Sequence, residues 1–579
     1  VPHSTDLEAR WWDAGSAPRG RSSVAGRRGD PCDASREFSA SVFVGTPEAC
    51  GPGHGPCPDD GRLDIDVGVG GRRQRSADVV GLRRASVSSA NAGYRRLRPD
   101  LARVPRATKD RRGKARAKRT PPGDYDARAM TTDGLMDRRG FLGRAAAATA
   151  SATIALAPGV PWALAGRATG EVRGRRVKVA LVGTGIRGTT MWGRDLRAHD
   201  SDLAELVALS DTNPLRLAYA RGFVGGDLPT FVDCDAMLDA AKPDVLVVAT
   251  PDATHDGYVK KALERGLNVV TEKPMTTDET KCRALLAAEK KAGKPIVVGF
   301  NYRFSPIMER VKATLLSGAI GDVLSVDLRW YLDVRHGADY FRRWHGRRAN
   351  SGSLWVHKAT HHFDLVNWWL EDEPQRVVAR HDLKVYGKNG PFRAEKCRGC
   401  PHAARCRFAF DAAADPQLKA LYLDCESADG YLRDACLFRE EIDIPDTMGA
   451  VVSYGKGALL TYSLNAAMPY EGFSLGINGT AGRIDVRRFD RQPWDRPQGA
   501  EIRVTKSFGG SESLDLRITS ADHWGGDPKL RRALFAPDAP DPLRQRANSR
   551  AGAMSILTGV AALRSADRDG DPDAVADLL

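Results

Sequence analysis

A short apolar, β-branched run that ends in three spaced glycines constrains this chain more than any other feature. Val177 to Val182 reads as a buried strand. It passes straight into Gly183-Thr184-Gly185-Ile186-Arg187-Gly188, and the residues that follow can open a helix. Each glycine has a separate physical task. Gly183 permits the tight turn, Gly185 lets the backbone approach a pyrophosphate, and Gly188 lets helix and strand pack closely. The helix N-terminus then faces the phosphate charge. A second strand, Glu205 to Ser210, ends at Asp211, which is placed to accept ribose hydroxyls. Glycine turns alone are common. Strand, turn, helix, second strand and terminal acid in this order describe a dinucleotide site.

The 579 residues carry a formal net charge of +14, which at first suggests a nucleic-acid partner. The charge is unevenly distributed. Residues 1–136 hold 25 basic against 17 acidic residues, are rich in Arg, Gly, Ser and Pro, and lack apolar periodicity. They read as a disordered leader or as sequence upstream of a start at Met130 or Met136. Residues 171–579 hold 58 basic and 55 acidic residues, so nucleic-acid binding loses its support there.

Residues 137–170 explain the boundary. Asp137-Arg138-Arg139-Gly140-Phe141-Leu142 resembles a twin-arginine export motif, Ala145 to Ala157 is weakly apolar, and Ala163-Leu164-Ala165 has the pattern of a cleavage site. Pro158 and Pro161 break the apolar run, so a cleaved signal is expected and a stable membrane anchor is not. The expected location is therefore outside the cytoplasm, in the periplasm, the cell envelope or the medium.

After Asp211 the patterns alternate between helix and strand, as in a parallel sheet covered on both faces. Asp244 to Thr250 is a fully apolar strand followed by Pro251-Asp252-Ala253-Thr254-His255. Leu267 to Thr271 ends at Glu272-Lys273-Pro274, and Pro295 to Phe300 leads into Asn301-Tyr302-Arg303-Phe304. Helices are expected at Cys234 to Ala241, Gly257 to Arg265 and Asp278 to Ala292. The glycine turn, the TPDATH turn, the EKP turn and the GFNYRF strand together resemble the Gfo/Idh/MocA oxidoreductases over residues 175–565. The resemblance implies a Rossmann NAD(P)-binding domain at 171–300. It also implies an α+β domain with a large, mainly antiparallel sheet at 301–565, often used for homo-oligomers. It puts Lys273 beside the nicotinamide, and Gly183 to Gly188, Asp211, Thr250, Pro251, His255, Glu272, Lys273 and Asn301 around the cofactor. Asp211 favours NAD, because a 2′-phosphate would meet a like charge; Arg187 or Arg216 would soften that preference and keep NADP open.

From Ser325 the pattern changes to alternation: Ser325 to Asp333, Arg376 to Tyr386, Met448 to Tyr454, Ala458 to Asn465 and Phe473 to Asn478. Between the first two lies Ser351-Gly352-Ser353-Leu354-Trp355-Val356-His357-Lys358-Ala359-Thr360-His361-His362-Phe363-Asp364. His357, His361 and Asp364 fall at i, i+4 and i+7 and so share one helical face. The family pattern matches His361 and Asp364, while His357 stands where an aspartate is usual. His361 is assigned as general acid/base because imidazole titrates near neutrality. His357 assists it, Asp364 is a supporting carboxylate, and His362 is packed or solvated. Trp344, His345, Tyr302 and Arg303 either line a sugar pocket or pack an interface. A catalytic zinc site built on these histidines ranks lower, since no HExxH glutamate accompanies them.

Five of the ten cysteines fall between 397 and 436, inside an insertion at 395–440. Cys397, Cys400 and Cys406 have a spacing suited to structural zinc, with Cys436, Cys425 or His402 completing the set. Disulfides and an iron–sulfur cluster are the competing readings. Asn548 to Arg564 reads as a closing amphipathic helix, and 566–579 as an acidic, frayed tail. The expected activity is oxidation of a hydroxyl, or reduction of a ketone, on a sugar, cyclitol or related polyol. A glycoside hydrolase that recycles a tightly held NAD and a sugar-binding protein with a dead site are the rivals.

Overall fold

A computed structural model describes residues 175–495, 500–516, 522–536 and 539–579. The leader (1–136) and the twin-arginine segment (137–170) lie outside the described residues.

Six parallel strands build the first sheet: β1 (Val177–Val182), β2 (Ala204–Ser210), β3 (Thr230–Phe231), β4 (Val245–Val248), β5 (Asn268–Thr271) and β6 (Ile296–Val298). Their order is β6-β5-β4-β1-β2-β3, so the direction of winding reverses between β1 and β4. A crevice at the carboxyl ends of the strands opens at that switch point, where open α/β sheets bind ligands. Val245 to Val248 are all buried, as helices on both faces require. The connecting helices begin and end where the sequence implies. Asp233 and Asp278 accept backbone N–H groups at the starts of Cys234–Ala241 and Glu279–Ala292, and Gly293 closes the latter in left-handed geometry. The two-residue strand Ala547–Asn548 pairs antiparallel with β6 and completes a seven-stranded sheet.

The second sheet comprises β7 (Val323–Asp333), β8 (Pro374–Asp382), β9 (Thr447–Tyr454), β10 (Leu459–Met468), β11 (Glu471–Gly479), β12 (Gly482–Asp490), β13 (Ala500–Lys506) and β14 (Ser511–Leu516). Asp573–Ala574 adds a ninth strand beside β8. The order is β14-β13-β12-β11-β7-β10-β9-β8, antiparallel except for the parallel β7–β10 pair. Alternate residues of β9 and β10 are buried, so one face packs on the core. Helices Ala359–Leu370 and Ser549–Asp567 cover that face, packing on each other and, for the second, on β8.

Three sequence expectations change here. The His357–Asp364 segment is two helices, Leu354–His357 and Ala359–Leu370, which meet at Lys358. The end of the chain is not a frayed tail: Val575 and Leu578 are buried, and Asp573–Ala574 is hydrogen-bonded into the sheet. Helix Gly526–Phe535, absent from the sequence reading, buries Leu530, Leu534 and Phe535 against the first sheet beside Val179, Leu181 and Leu196.

Candidate active site

The glycine turn has the shape its residues call for. Gly183 has φ +93°, and a Cβ there would lie 2.6 Å from the Ala249 carbonyl carbon. A Cβ on Gly188 would fall on the Gly183 carbonyl oxygen, which is why the helix can start so close to the strand. Asp211, at the end of β2, accepts hydrogen bonds from the Thr184 amide (2.8 Å) and hydroxyl (2.9 Å) and from the Asn213 amide. The turn, the helix start behind it and the acid at the next strand end therefore fit an adenine dinucleotide.

Arg187 does not point into solvent. Its guanidinium bonds Glu272 (2.7 Å) and both oxygens of Asp527 (2.6 and 3.0 Å). Asn301 donates to the same Asp527, and Trp192 donates to Glu272. Arg187 and the His523 ring hold the Asp527 carboxyl well below the usual carboxylate range, against the opposing effect of its burial. This network clamps the glycine turn to the EKP turn. Asp527 was not anticipated, because it sits 340 residues from Arg187 in a stretch that reads as loop.

His255 is buried, with Nδ1 2.8 Å from the Pro274 carbonyl and Nε2 2.8 Å from the Thr250 carbonyl. It fastens the ends of β4 and β5 together and leaves no ring nitrogen for a ligand. Thr250 is tied to Thr254 through their hydroxyls, and Pro251 opens that turn.

Lys273 follows β5. Its ammonium is 3.4 Å from the His357 carbonyl oxygen, to which it donates. Burial pushes its pKa down to about 8, against the pull of Asp252 and Glu272. His357 Nδ1 lies 2.5 Å from Asp252 Oδ2. Burial, reinforced by the Lys273 ammonium, keeps His357 a neutral imidazole, and burial raises the Asp252 carboxyl. One turn on, His361 stacks on the Tyr302 ring at 4.2 Å, and its buried Nδ1 has no hydrogen-bond partner among the described residues. Its pKa too is pushed well down, by burial and then by Lys273. Burial thus favours the neutral imidazole at His361, and it brings the Lys273 ammonium down toward neutrality.

Lys358 lies at the junction of the two helices, and nothing in the local sequence pattern marks it as part of the site. It is buried and donates to the Tyr302 hydroxyl at 3.1 Å. Neither its ammonium nor that of Lys273 is within ion-pair reach of a carboxylate among the described residues. Asp364 lies away from this group: both of its oxygens are bonded by Arg303, at 2.6 and 2.7 Å, deep in the core. It supports the site by anchoring the Ala359–Leu370 helix to the Asn301–Phe304 turn. His362 stacks on Trp330 and bonds the Tyr462 hydroxyl, so it is packed. His345 sits 4.1 Å from the His357 ring, and Trp344 stacks on His345.

The expectation of structural zinc finds no support. Among the described residues, no group of three or more His, Cys, Asp or Glu side chains is arranged to hold a metal ion. Cys397, Cys400, Cys406 and Cys436 do line one small cavity, shared with Phe392, Phe408 and Phe438. Three of the four sulfurs accept hydrogen bonds: Arg342 donates to Cys397, the His402 amide to Cys400 and the Phe438 amide to Cys436. All seven cysteines among the described residues are free thiols.

Residues 177–300 match the model of an oxidoreductase family with an NAD-binding Rossmann fold, and residues 312–571 match that family's C-terminal alpha/beta domain. The chain belongs to the Gfo/Idh/MocA oxidoreductase family. It is 38% identical over 416 residues to the putative oxidoreductase YteT of Bacillus subtilis, covering 67% of this chain and 95% of that protein. It is 33% identical to inositol 2-dehydrogenase 4 of Saccharopolyspora erythraea over 36% of this chain and 58% of that one. Among solved structures, levoglucosan dehydrogenase in complex with NADH and levoglucosan superposes with a TM-score of 0.52 at 18% identity, covering 69% of this chain and all of that one. The Gfo/Idh/MocA chain described here is thus an oxidoreductase with an NAD-binding Rossmann domain and a C-terminal α/β domain.

Proposed function

We propose that this enzyme interconverts a hydroxyl and a ketone on a sugar, cyclitol or related polyol, with NAD as the preferred cofactor. One observation carries the reading: the Lys273 ammonium, 3.4 Å from the His357 carbonyl oxygen, stands where the EKP turn meets the carboxyl ends of the strands, and burial pushes its pKa down to about 8. Gly183 to Gly188 and Asp211 would hold the dinucleotide, and its nicotinamide would supply the hydride acceptor or donor. Lys273, as the free amine, takes the proton from a substrate hydroxyl; as the ammonium, it returns that proton to a ketone oxygen. His361, whose Nδ1 has no partner among the described residues, is the second group placed to bond the same oxygen. His357 is held by Asp252, and its carbonyl orients the Lys273 ammonium. The Lys358 ammonium, which donates to the Tyr302 hydroxyl, is a further cationic donor for a polyhydroxylated ligand.

Named relatives support the substrate class, since they include inositol and D-apiose dehydrogenases. The test is a panel of aldoses, inositols and anhydrosugars with NAD or NADP, following formation of reduced nicotinamide. Turnover of at least one polyol, with NAD preferred, is expected. No turnover of any member by protein that binds NAD would sink the proposal. Aryl glycosides without added NAD belong in the same panel, because cleavage there would favour the redox-recycling hydrolase instead.

We extend the proposal to location and assembly. The twin-arginine pattern at Arg138-Arg139 supports export, and exposed Val378, Val451 and Leu459 on the second sheet support a homodimer or tetramer through that face. Native mass spectrometry of protein made in its own host is expected to give a processed oligomer. An unprocessed monomer would refute both.

A further inference from the structure

The cysteine-rich insertion leaves the second sheet after β8 and returns at β9, yet its middle reaches the nucleotide domain. Leu418, Leu421 and Tyr422 form an apolar cluster with Ile186 of the glycine turn and with Tyr219. The Tyr422 hydroxyl accepts a hydrogen bond from the Ile186 amide at 2.9 Å. A Cβ on Gly185 would lie 3.3 Å from that same hydroxyl. Gly185 and the amide after it are where the backbone of such a turn meets a pyrophosphate.

The ribose end is held as well. Asn213 donates to the Cys425 carbonyl at 3.0 Å. Arg216 reaches the Leu421 carbonyl (3.2 Å), Asp429 (2.6 Å) and Asp211 itself (3.2 Å). One segment, residues 416–431, thus engages the turn amide, the helix after β2 and, through Arg216, the acid that would accept the ribose.

We propose that residues 416–431 form a plug for the ADP half of the dinucleotide site, with the Tyr422 hydroxyl in the seat of a phosphate oxygen. The proposal rests on the dinucleotide reading above. A phosphate oxygen makes a charge-assisted bond to the amide and outcompetes a neutral hydroxyl. Binding must still lift the segment, so the apparent affinity is the intrinsic affinity reduced by the fraction of molecules in which the seat is open. The plug sets how readily the cofactor enters, and Asp429 keeps Arg216 turned toward the insertion.

Tyr422→Phe keeps the ring packing and removes only the competing hydroxyl. It is expected to bind NAD about five-fold more tightly, the worth of one neutral hydrogen bond, through faster association at an unchanged dissociation rate. Asp429→Ala, which loosens the grip on Arg216 from the other end, is expected to act in the same direction. The experiment is stopped-flow binding of NAD to the full chain and both variants, with melting curves as a control for folding. Weaker binding by Tyr422→Phe would make the hydroxyl a cofactor ligand and overturn the plug. Unchanged association in both variants would overturn it too. Failure of all three proteins to bind NAD would instead refute the dinucleotide reading, an outcome distinct from equal affinities.

Discussion

Lys273→Met is expected to lower turnover by about 10³-fold, within the range that a positioned general acid/base contributes, while NAD binding survives. The methionine keeps the length and fills the buried space but can neither take nor return a proton. The side chain is buried and, among the described residues, bonds a carbonyl oxygen and has no carboxylate at ion-pair distance, so its loss removes a desolvated charge without stranding such a partner. Melting temperature is therefore expected to hold or rise. The pH profile carries the same information in the unaltered enzyme. Burial lowers Lys273 to about 8, so the free amine needed for hydroxyl oxidation accumulates above that value. Oxidation should rise through pH 8 to a plateau, and ketone reduction, which needs the ammonium, should fall through the same range. Steady-state kcat/KM measured in both directions checks this. Parallel profiles in the two directions, or a variant with ordinary turnover, would remove Lys273 from the chemistry.

The second large effect concerns stability. Arg303→Met should destabilise the fold by about 3–5 kcal/mol, the usual cost of stranding one partner of a buried ion pair. Both groups are in the core, and each Asp364 oxygen has a guanidinium nitrogen within 2.7 Å. Burial pushes the Asp364 carboxyl up even with Arg303 present, so without it the carboxyl must protonate or draw in water. Arg303→Lys should recover only part of the loss, because an ammonium cannot make the paired, planar contact. Urea unfolding followed by fluorescence reads both values. A change below about 1 kcal/mol, the scale of an exposed pair, would mean that the contact carries little weight.

What could be read from the sequence depended on how local each signal is. The turn at Gly183 to Gly188, the acid at Asp211 and the Glu272-Lys273-Pro274 turn are each contiguous, and each strand-end position follows from the strand before it. The clamp on Arg187 was invisible because Asp527 arrives from a distant helix. That helix did carry a sign, since Leu530, Leu534 and Phe535 share one face, but the glycines and proline around it read as loop. The strands β12 and β13 alternate as clearly as the others. Charged residues on their outer face, such as Arg483, Asp485 and Arg487, masked the buried Ile484 and Val486. The histidine segment was read as one helix because spacing alone does not reveal the break at Lys358. Cysteine spacing suggested zinc, but spacing says nothing about where the sulfurs aim. Tyr422 illustrates the limit: 236 residues separate it from Ile186, and no local pattern links them.

The pairing of Ala547–Asn548 with β6 also bears on how the protein is made. A ribosome emits β1 to β6 early, but their last neighbour leaves the exit tunnel only after β7 to β14 have been synthesised. Until then the β6 edge presents bare amide and carbonyl groups, an invitation to pair with other chains. Chaperone attendance during translation, and poor yield from any gene fragment that stops short of residue 547, follow from that single short strand.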